Sequence, residues 1–353
     1  MRQLFIFLII ITTLHLQIFA RSVHRPSNPT IPYITVTASN KEYAEIWKKP
    51  TTKPKPFHKF QNKFLRLKIL KKPLETSGFK KHLLPYGNLK FRTSEQTVHT
   101  NILKNQNELV LKEILQGKRT FTDFTILKDR DFNYKNLSGL IVLKNKKYPF
   151  VFKLFIEHPE TIVEPLQKGM EAGWIFILSG TMRHLSGFTR ISNLENAKKA
   201  LSKDPEYRYY IDFPRKWYWQ PLSKPLLHID WHDPYNNHFE TIKIPSVYGI
   251  ICDFIEVDKE LQQRELSTLR QISMDVTKYL HYMIDPHDDN LVPEKNSHKI
   301  VIIDTEHFRT VAGLEQDMHA HDYNQWYFEL ITRTAKRWLC RSKKKRIQDQ
   351  CFV

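Results

Sequence analysis

The sequence predicts a mixed α+β fold in which an antiparallel sheet precedes a mostly helical part. Three stretches carry that prediction. Gly139 to Lys144 and Tyr148 to Ile156 are apolar or alternating runs separated by Asn145-Lys146-Lys147, which suits a hairpin turn. Val247 to Val257 is a strongly apolar run of strand length. Leu266, Leu269, Ile272, Val276, Tyr279, Leu280 and Met283 then recur three or four residues apart, as one face of a helix requires.

Ahead of these elements lies a segment with a different role. Met1-Arg2-Gln3 is followed by an apolar stretch from Leu4 to Ile11 that continues less strictly to Phe19, and Ala20 supplies a small residue. Residues 1–20 therefore read as a signal peptide that sends the chain out of the cytosol, to a secreted or periplasmic destination. Left uncleaved, the same stretch is just long enough to anchor the chain in a membrane. No later segment is apolar for long enough to cross one.

Residues 21–90 hold 16 lysines and arginines against 3 acids, so most of the net charge of +18 sits there. Eight prolines from Pro26 to Pro85 punctuate that region. Residues 21–95 are expected to form a basic Pro/Lys-rich linker, extended or partly disordered. Such a segment favours anionic partners, although charge runs also serve as solvated tails. Three cysteines, Cys252, Cys340 and Cys351, cannot form a disulfide framework. Cys340 to Cys351 is the most plausible single bridge.

The folded region is expected from near Val98. Leu103, Leu109, Leu111, Ile114 and Leu115 suggest a helix ending at Gly117, and Phe121 to Leu127 a strand. Leu166, Met170, Trp174 and Ile177 suggest a helix opened by Pro165. Residues 186–240 read as an insertion, aromatic-rich and hard to parse, with a strand at Arg215 to Gln220. Lys299 to Ile303 is a buried strand, and Tyr323 to Leu339 a last helix.

One constellation carries chemistry. Asp285 and Asn290 have four residues between them, after a helix and before the apolar strand that ends at Asp304-Thr305-Glu306. Phosphoryl transfer uses such a set: a carboxylate that takes or orients the acceptor proton, an amide oxygen, and a second carboxylate for a metal on the phosphates. The arrangement resembles the protein-kinase-like superfamily, with its Asp-x-x-x-x-Asn loop and following metal aspartate. Asp304-Thr305-Glu306 is similar to the Asp-x-Glu of aminoglycoside- and choline-kinase-like branches.

The resemblance implies a bilobal fold, with an antiparallel-sheet N-lobe over 96–256 and a small helical C-lobe over 257–353. It implies Asp285 as catalytic base, Asn290 and Asp304 as ligands of Mg²⁺, and ATP as phosphate donor. Lys153, central in Phe150-Val151-Phe152-Lys153-Leu154-Phe155-Ile156, matches the phosphate-binding lysine. A lysine there is costly unless paired, and Glu171 is the expected partner, with Glu164 second. Asp253, Phe254, Ile255 and Glu256 would offer backbone groups to the adenine. Two features depart from the family pattern. Gly139 is the only glycine between Phe121 and Leu143, where a glycine-rich loop is expected, and Met283-Ile284 replaces His-Arg.

Plainer readings stand beside these. Asp285, Asp288 and Asp289 suit a solvated turn, and Lys153 suits an edge strand guarded against aggregation. His281, His287, His319 and His321 lack a convincing zinc spacing. Trp217, Tyr218 and Trp219 suit either a nucleic-acid platform or a core, and the core is the commoner fate. The expectation is an exported, Mg-dependent kinase-like phosphotransferase acting on an unknown protein or small-molecule hydroxyl, as an effector within another cell. Its rivals are an inactive pseudokinase or interaction module and a basic secreted anion- or nucleic-acid-binding protein. Nucleic acid is the less favoured partner, and a membrane contact is expected only through an uncleaved N-terminal segment.

Overall fold

The structure, a computed structural model, describes residues 33–38, 55–56, 81–159, 161, 182–233, 238–281, 283–306, 324–325, 327–332 and 335–336. These form a mixed α+β fold with several antiparallel sheets, as the sequence predicts. The helix expected from Pro165, with Glu164 and Glu171, lies outside the described residues, as do residues 1–20, His319, His321, Cys340 and Cys351. Of the expected last helix, residues 324–325, 327–332 and 335–336 are described and helical, with Leu330 buried.

The main sheet is assembled from β5 (Phe124–Lys128), β6 (Phe132–Asn133), β7 (Ser138–Asn145), β8 (Phe150–Ile156), β10 (Lys216–Trp219) and β13 (Val247–Asp253). Its order is β10-β13-β8-β7-β5, every pair antiparallel, with β6 also on β7. The β7–β8 turn forms where expected, because Asn145 Oδ1 accepts from the amides of Lys147 and Tyr148, both at 2.9 Å. That local bond mimics a backbone turn. Gly139 takes φ +112, and a Cβ there would run into the Asp131 carbonyl. Only glycine combines that dihedral with that approach.

Register sorts the side chains into two faces, since residues opposite one another point the same way. Val151, Cys252 and Lys216 share one face with Lys153, Ile250 and Tyr218. Phe152, Ile251 and Trp217 share the other with Leu154, Gly249 and Trp219. Lys153 therefore lies on an inner strand, which removes the edge-lysine reading. The Trp-Tyr-Trp run goes to the core: Tyr218 and Trp219 are buried, and the Trp219 ring meets Phe152 edge-on at 5.3 Å.

Helix α1 (Thr100–Leu115) buries Leu103, Val110, Leu111 and Ile114 in the same core. It ends as predicted, with Gly117 at φ +78 and its amide on the Ile114 carbonyl. The core starts earlier than Val98, however. Leu84 and Leu89 are buried in it, and the amide of Leu84 bonds the Tyr218 carbonyl at 2.9 Å. The expected linker also supplies β1 (Tyr33–Ala38) and β2 (Lys55–Pro56). With β11 (Leu226–Asp233) and β12 (His238–Pro245) they form a four-stranded antiparallel sheet, ordered β12-β11-β1-β2. The β11–β12 hairpin lies between β10 and β13, and residues 186–240, read as an insertion, also supply β10 itself.

The second apolar cluster joins α3 (Arg190–Leu201) to α6 (Leu266–Tyr279) through Leu194, Ala197, Leu201, Val276 and Leu280, with Leu291 and Ile302 beneath. Helix α6 stops short of Met283, the last residue of its expected face. His281 turns to φ +49, and two residues after Met283 the chain reaches Asp285-Pro286, where helix is disfavoured. A small sheet follows, in which β14 (Leu291–Pro293) pairs antiparallel with β15 (Ile300–Ile302), and β15 pairs parallel with β9 (Ile211–Asp212).

Candidate functional site

The two halves of the sequence motif meet because a hairpin folds them together. Leu291 lies opposite Ile302, so Asn290, just before β14, meets Ile303, just after β15; the Ile303 amide bonds the Asn290 carbonyl at 2.8 Å. Asp304 follows immediately. Asn193 on α3 ties the halves again, its Nδ2 donating to the carbonyls of Met283 and Thr305, each at 3.1 Å.

Across from this hairpin stands the charged face of the main sheet. Lys153 Nζ lies 3.3 Å from Asp304 Oδ2. Residues 151 positions apart are thus joined, and this is the partner that a lysine in an apolar strand needs. Arg190, only 1% exposed, bonds Asp304 Oδ1 and sets its Nη2 3.0 Å from Glu306 Oε2. Arg183 reaches the same Glu306 oxygen at 3.0 Å. Lys216 Nζ donates to Thr305 Oγ1 at 2.7 Å and to the Ile303 carbonyl at 3.2 Å, and Thr305 Oγ1 donates to the Arg190 carbonyl at 2.7 Å. Asp304-Thr305-Glu306 is thereby fastened on every side to α3 and β10.

These contacts set the proton affinities. Burial alone would raise the Asp304 carboxyl, but Arg190, Lys153 and Lys216 together hold it well below the usual carboxylate range. Burial pulls Lys216 down to about 7, and nearby Lys153 adds to the effect. Burial pushes Asp285 up to about 6; the neighbouring His287 opposes this, while Asp304 and Glu306 reinforce it. Asp285 thus feels the charge of the other two carboxylates, and its proton affinity suits general-base work near neutral pH. Its own oxygen accepts from the His287 amide at 3.1 Å.

Lys153, Asp304 and Asp285 therefore belong to one cluster, and Asn290 borders it. Asp253 and Ile255 do not join it. The Asp253 carboxylate is buried against Arg215, with a shortest contact of 2.7 Å, and Ile255 packs beside Val292 and Val301. The amides of Asp253 and Phe254 are used by the carbonyls of Arg215 and Pro149, and the Glu256 carbonyl by the Lys295 amide. Those backbone groups are not directed at a ligand. Arg190, Lys216 and Arg183 are the members that sequence reasoning missed; Glu306 enters it as the end of the Asp-x-Glu motif, without a role of its own. For Lys216 a signal existed: a lysine opening an alternating Trp-Tyr-Trp strand poses the same pairing problem as Lys153.

A Mg²⁺ ion on Asn290 and Asp304 requires open oxygen ligands. One Asp304 oxygen is taken by Arg190 and also lies 3.2 Å from the Glu306 amide; the other is taken by Lys153. Asn290 turns its Nδ2 toward the Asp285 carbonyl at 3.4 Å. As it stands, this donor set does not fit a divalent ion. A separate group, His287, Asp288 and Asp289, brings ligand atoms within 4.8 Å of one another, but Asp289 is exposed and Asp288 is already paired with Arg270 at 2.8 Å. An open groove lined by Lys198, Leu201, Arg208, Tyr209 and Phe213 contains none of the cluster residues.

The chain matches no protein-family model, no curated protein and no solved structure.

Proposed function

We propose that this chain is an exported, kinase-like protein that binds ATP at the Lys153–Asp304 cluster and transfers its terminal phosphate to a hydroxyl. The observation that supports this best is the meeting of two groups 151 positions apart, Lys153 on Asp304, with Asp285 near enough to feel the Asp304 charge. In the proposed reaction the acceptor oxygen attacks the γ-phosphorus and the bond to the β-phosphate's bridging oxygen breaks. ADP leaves, and the hydroxyl proton passes to Asp285. Lys153 holds phosphate oxygens in place while charge shifts to the leaving group. The β5–β7 turn would lie over the phosphates in a bilobal arrangement, and its Asp131 does lie close enough to Arg183 to be influenced by that charge.

A second reading, nucleotide binding without transfer, draws on two observations. Both oxygens of Asp304 are already held by basic side chains, and Gly139 is the only glycine available to the β5–β7 turn. The test is the thermal stability of the full chain with and without ATP, for the natural protein and for Lys153→Ala and Asp304→Ala. A ligand that binds only the folded state raises the melting temperature. A rise in the natural protein that shrinks in both variants supports the reading, and no rise removes it. ADP formation that disappears in Asp285→Asn then separates transfer from binding.

A further inference from the structure

The far end of the charged sheet face holds a second set of buried polar groups, independent of the nucleotide reading. Glu157 follows β8 and Ser246 precedes β13. The Glu157 amide bonds the Ser246 carbonyl at 2.9 Å, which continues the pairing of Ile156 with Val247. Opposite residues point the same way, with Cβ atoms about 4.5–5.5 Å apart. Glu157 and Ser246 therefore share the face on which Phe155 stacks on Tyr248, two residues away on each strand.

A third side chain reaches that face from helix α2 (Met182–Gly187). His184 sets its ring edge-on to Tyr248, 5.0 Å between centroids, and places Nε2 2.8 Å from the carbonyl of Pro245, the residue before Ser246. The Tyr248 hydroxyl bonds the His184 carbonyl and holds the helix there.

All three side chains are at most 1% exposed. Each has an atom without a hydrogen-bond partner: Oε1 of Glu157, Nδ1 of His184 and Oγ of Ser246. A carbonyl only accepts, so Nε2 of His184 carries a hydrogen, and in a buried neutral ring Nδ1 then presents a lone pair. Glu157 also lacks a cation. Its other oxygen bonds the Thr161 hydroxyl, and no basic side chain among the described residues pairs with it. Buried polar atoms left in this state are costly, a carboxylate above all. An imidazole that gives one N–H to a backbone carbonyl and leaves its other nitrogen bare is oriented as metal-bound histidines are.

We infer that Nδ1 of His184, Oε1 of Glu157 and Oγ of Ser246 converge on one divalent transition-metal ion of the zinc type, which suits imidazole and carboxylate together. The ion ties the neighbouring ends of β8 and β13 to α2. Arg183, beside His184 on that helix, reaches Glu306, so the ion steadies the Asp304 segment from outside and takes no part in the proposed reaction. Its ligands come from three elements far apart in the chain, and no motif spacing announces them.

Zinc content of the full chain, and its melting temperature in EDTA and after Zn²⁺ is returned, test this. The expected result is about one zinc per chain, with a melting temperature that falls in EDTA and recovers with Zn²⁺. Glu157→Gln and His184→Gln should each weaken zinc binding by about tenfold or more, while Asp289→Ala, in the His287–Asp289 turn, leaves it unchanged. A chain that takes up no zinc and melts alike in both buffers overturns the inference. Zinc binding that survives both substitutions, or that is lost in Asp289→Ala, overturns it as well. Circular dichroism checks folding, and if neither Glu157→Gln nor His184→Gln folds, Ser246→Ala takes their place beside Asp289→Ala: weaker zinc binding supports the site, and unchanged binding removes it.

Discussion

The two faces of the main sheet are made by the same strands and hold opposite chemistry. On one, Phe152, Leu154, Ile251 and Trp219 are buried apolar groups, and Gly249 is bare because a Cβ would strike the Phe152 ring. On the other, Phe155 stacks on Tyr248 at 4.7 Å at one end, while Lys153 and Lys216 reach the Asp304 segment at the other. The first face draws stability from area removed from water, roughly 1.5–3 kcal/mol for each large side chain. The second spends free energy to hold charge in a buried place, and charged groups so held are commonest at functional sites. Stability and function should therefore respond in opposite ways to substitutions one residue apart.

Arg190→Met is the most damaging way to break this contrast. It leaves Asp304 and Glu306 without the cation between them and should cost about 3–5 kcal/mol, read by urea denaturation. Adding Glu306→Gln should recover part of that loss. Phe152→Ala should cost a similar amount, about 3–5 kcal/mol, through the cavity it opens on the apolar face, while nucleotide affinity in the folded fraction stays unchanged.

Lys216→Met sharpens the contrast through pH. Lys216 titrates at about 7 in the fold and at 10.5 in the unfolded chain. Between those values the unfolded chain binds a proton that the folded chain does not, so the natural protein gains stability as pH rises from about 7 to 10.5. The slope from this residue approaches about 1.4 kcal/mol per pH unit, and Lys216→Met should abolish it. Asp285 has the opposite sign, since its folded value of about 6 lies above the ordinary 3.8. Its contribution to stability falls as pH rises through that window. Asp285→Asn should therefore stabilise the protein at pH 7 by about 1–3 kcal/mol while ending phosphate transfer. Asp289→Ala, on an exposed turn, should change stability by no more than about 0.5 kcal/mol.

What could be read from the sequence was what neighbours along the chain decide. The β7–β8 hairpin was legible from two apolar runs and an Asn-Lys-Lys turn, α1 from its spacing and Gly117, and β13 from an unbroken apolar run. The Asp285–Asn290 and Asp304 halves were legible as a pair because the hairpin that joins them is only a few residues long. That Lys153 needs a counter-charge was also legible; that Asp304 supplies it was not, because the two are brought together by sheet order. Arg190 gave no signal of its own, since an arginine opening a polar helix is ordinarily solvated. The strands at Tyr33–Ala38 and Lys55–Pro56 were hidden by proline- and lysine-rich surroundings, and β1 by a partner strand far along the chain.

That last pairing constrains how the chain is made. Tyr33 to Ala38 leaves the ribosome early, yet the strand it joins begins only at Leu226. At about 5–20 residues per second, synthesis leaves this strand waiting roughly 10–40 s before its template exists. During that interval only Tyr33 and Ile34 have strand partners, on Lys55–Pro56, and any factor that captures extended chains competes with β11 for the other edge of the strand. Closing this sheet is therefore a late step in biogenesis, tied to the completion of the β11–β12 hairpin.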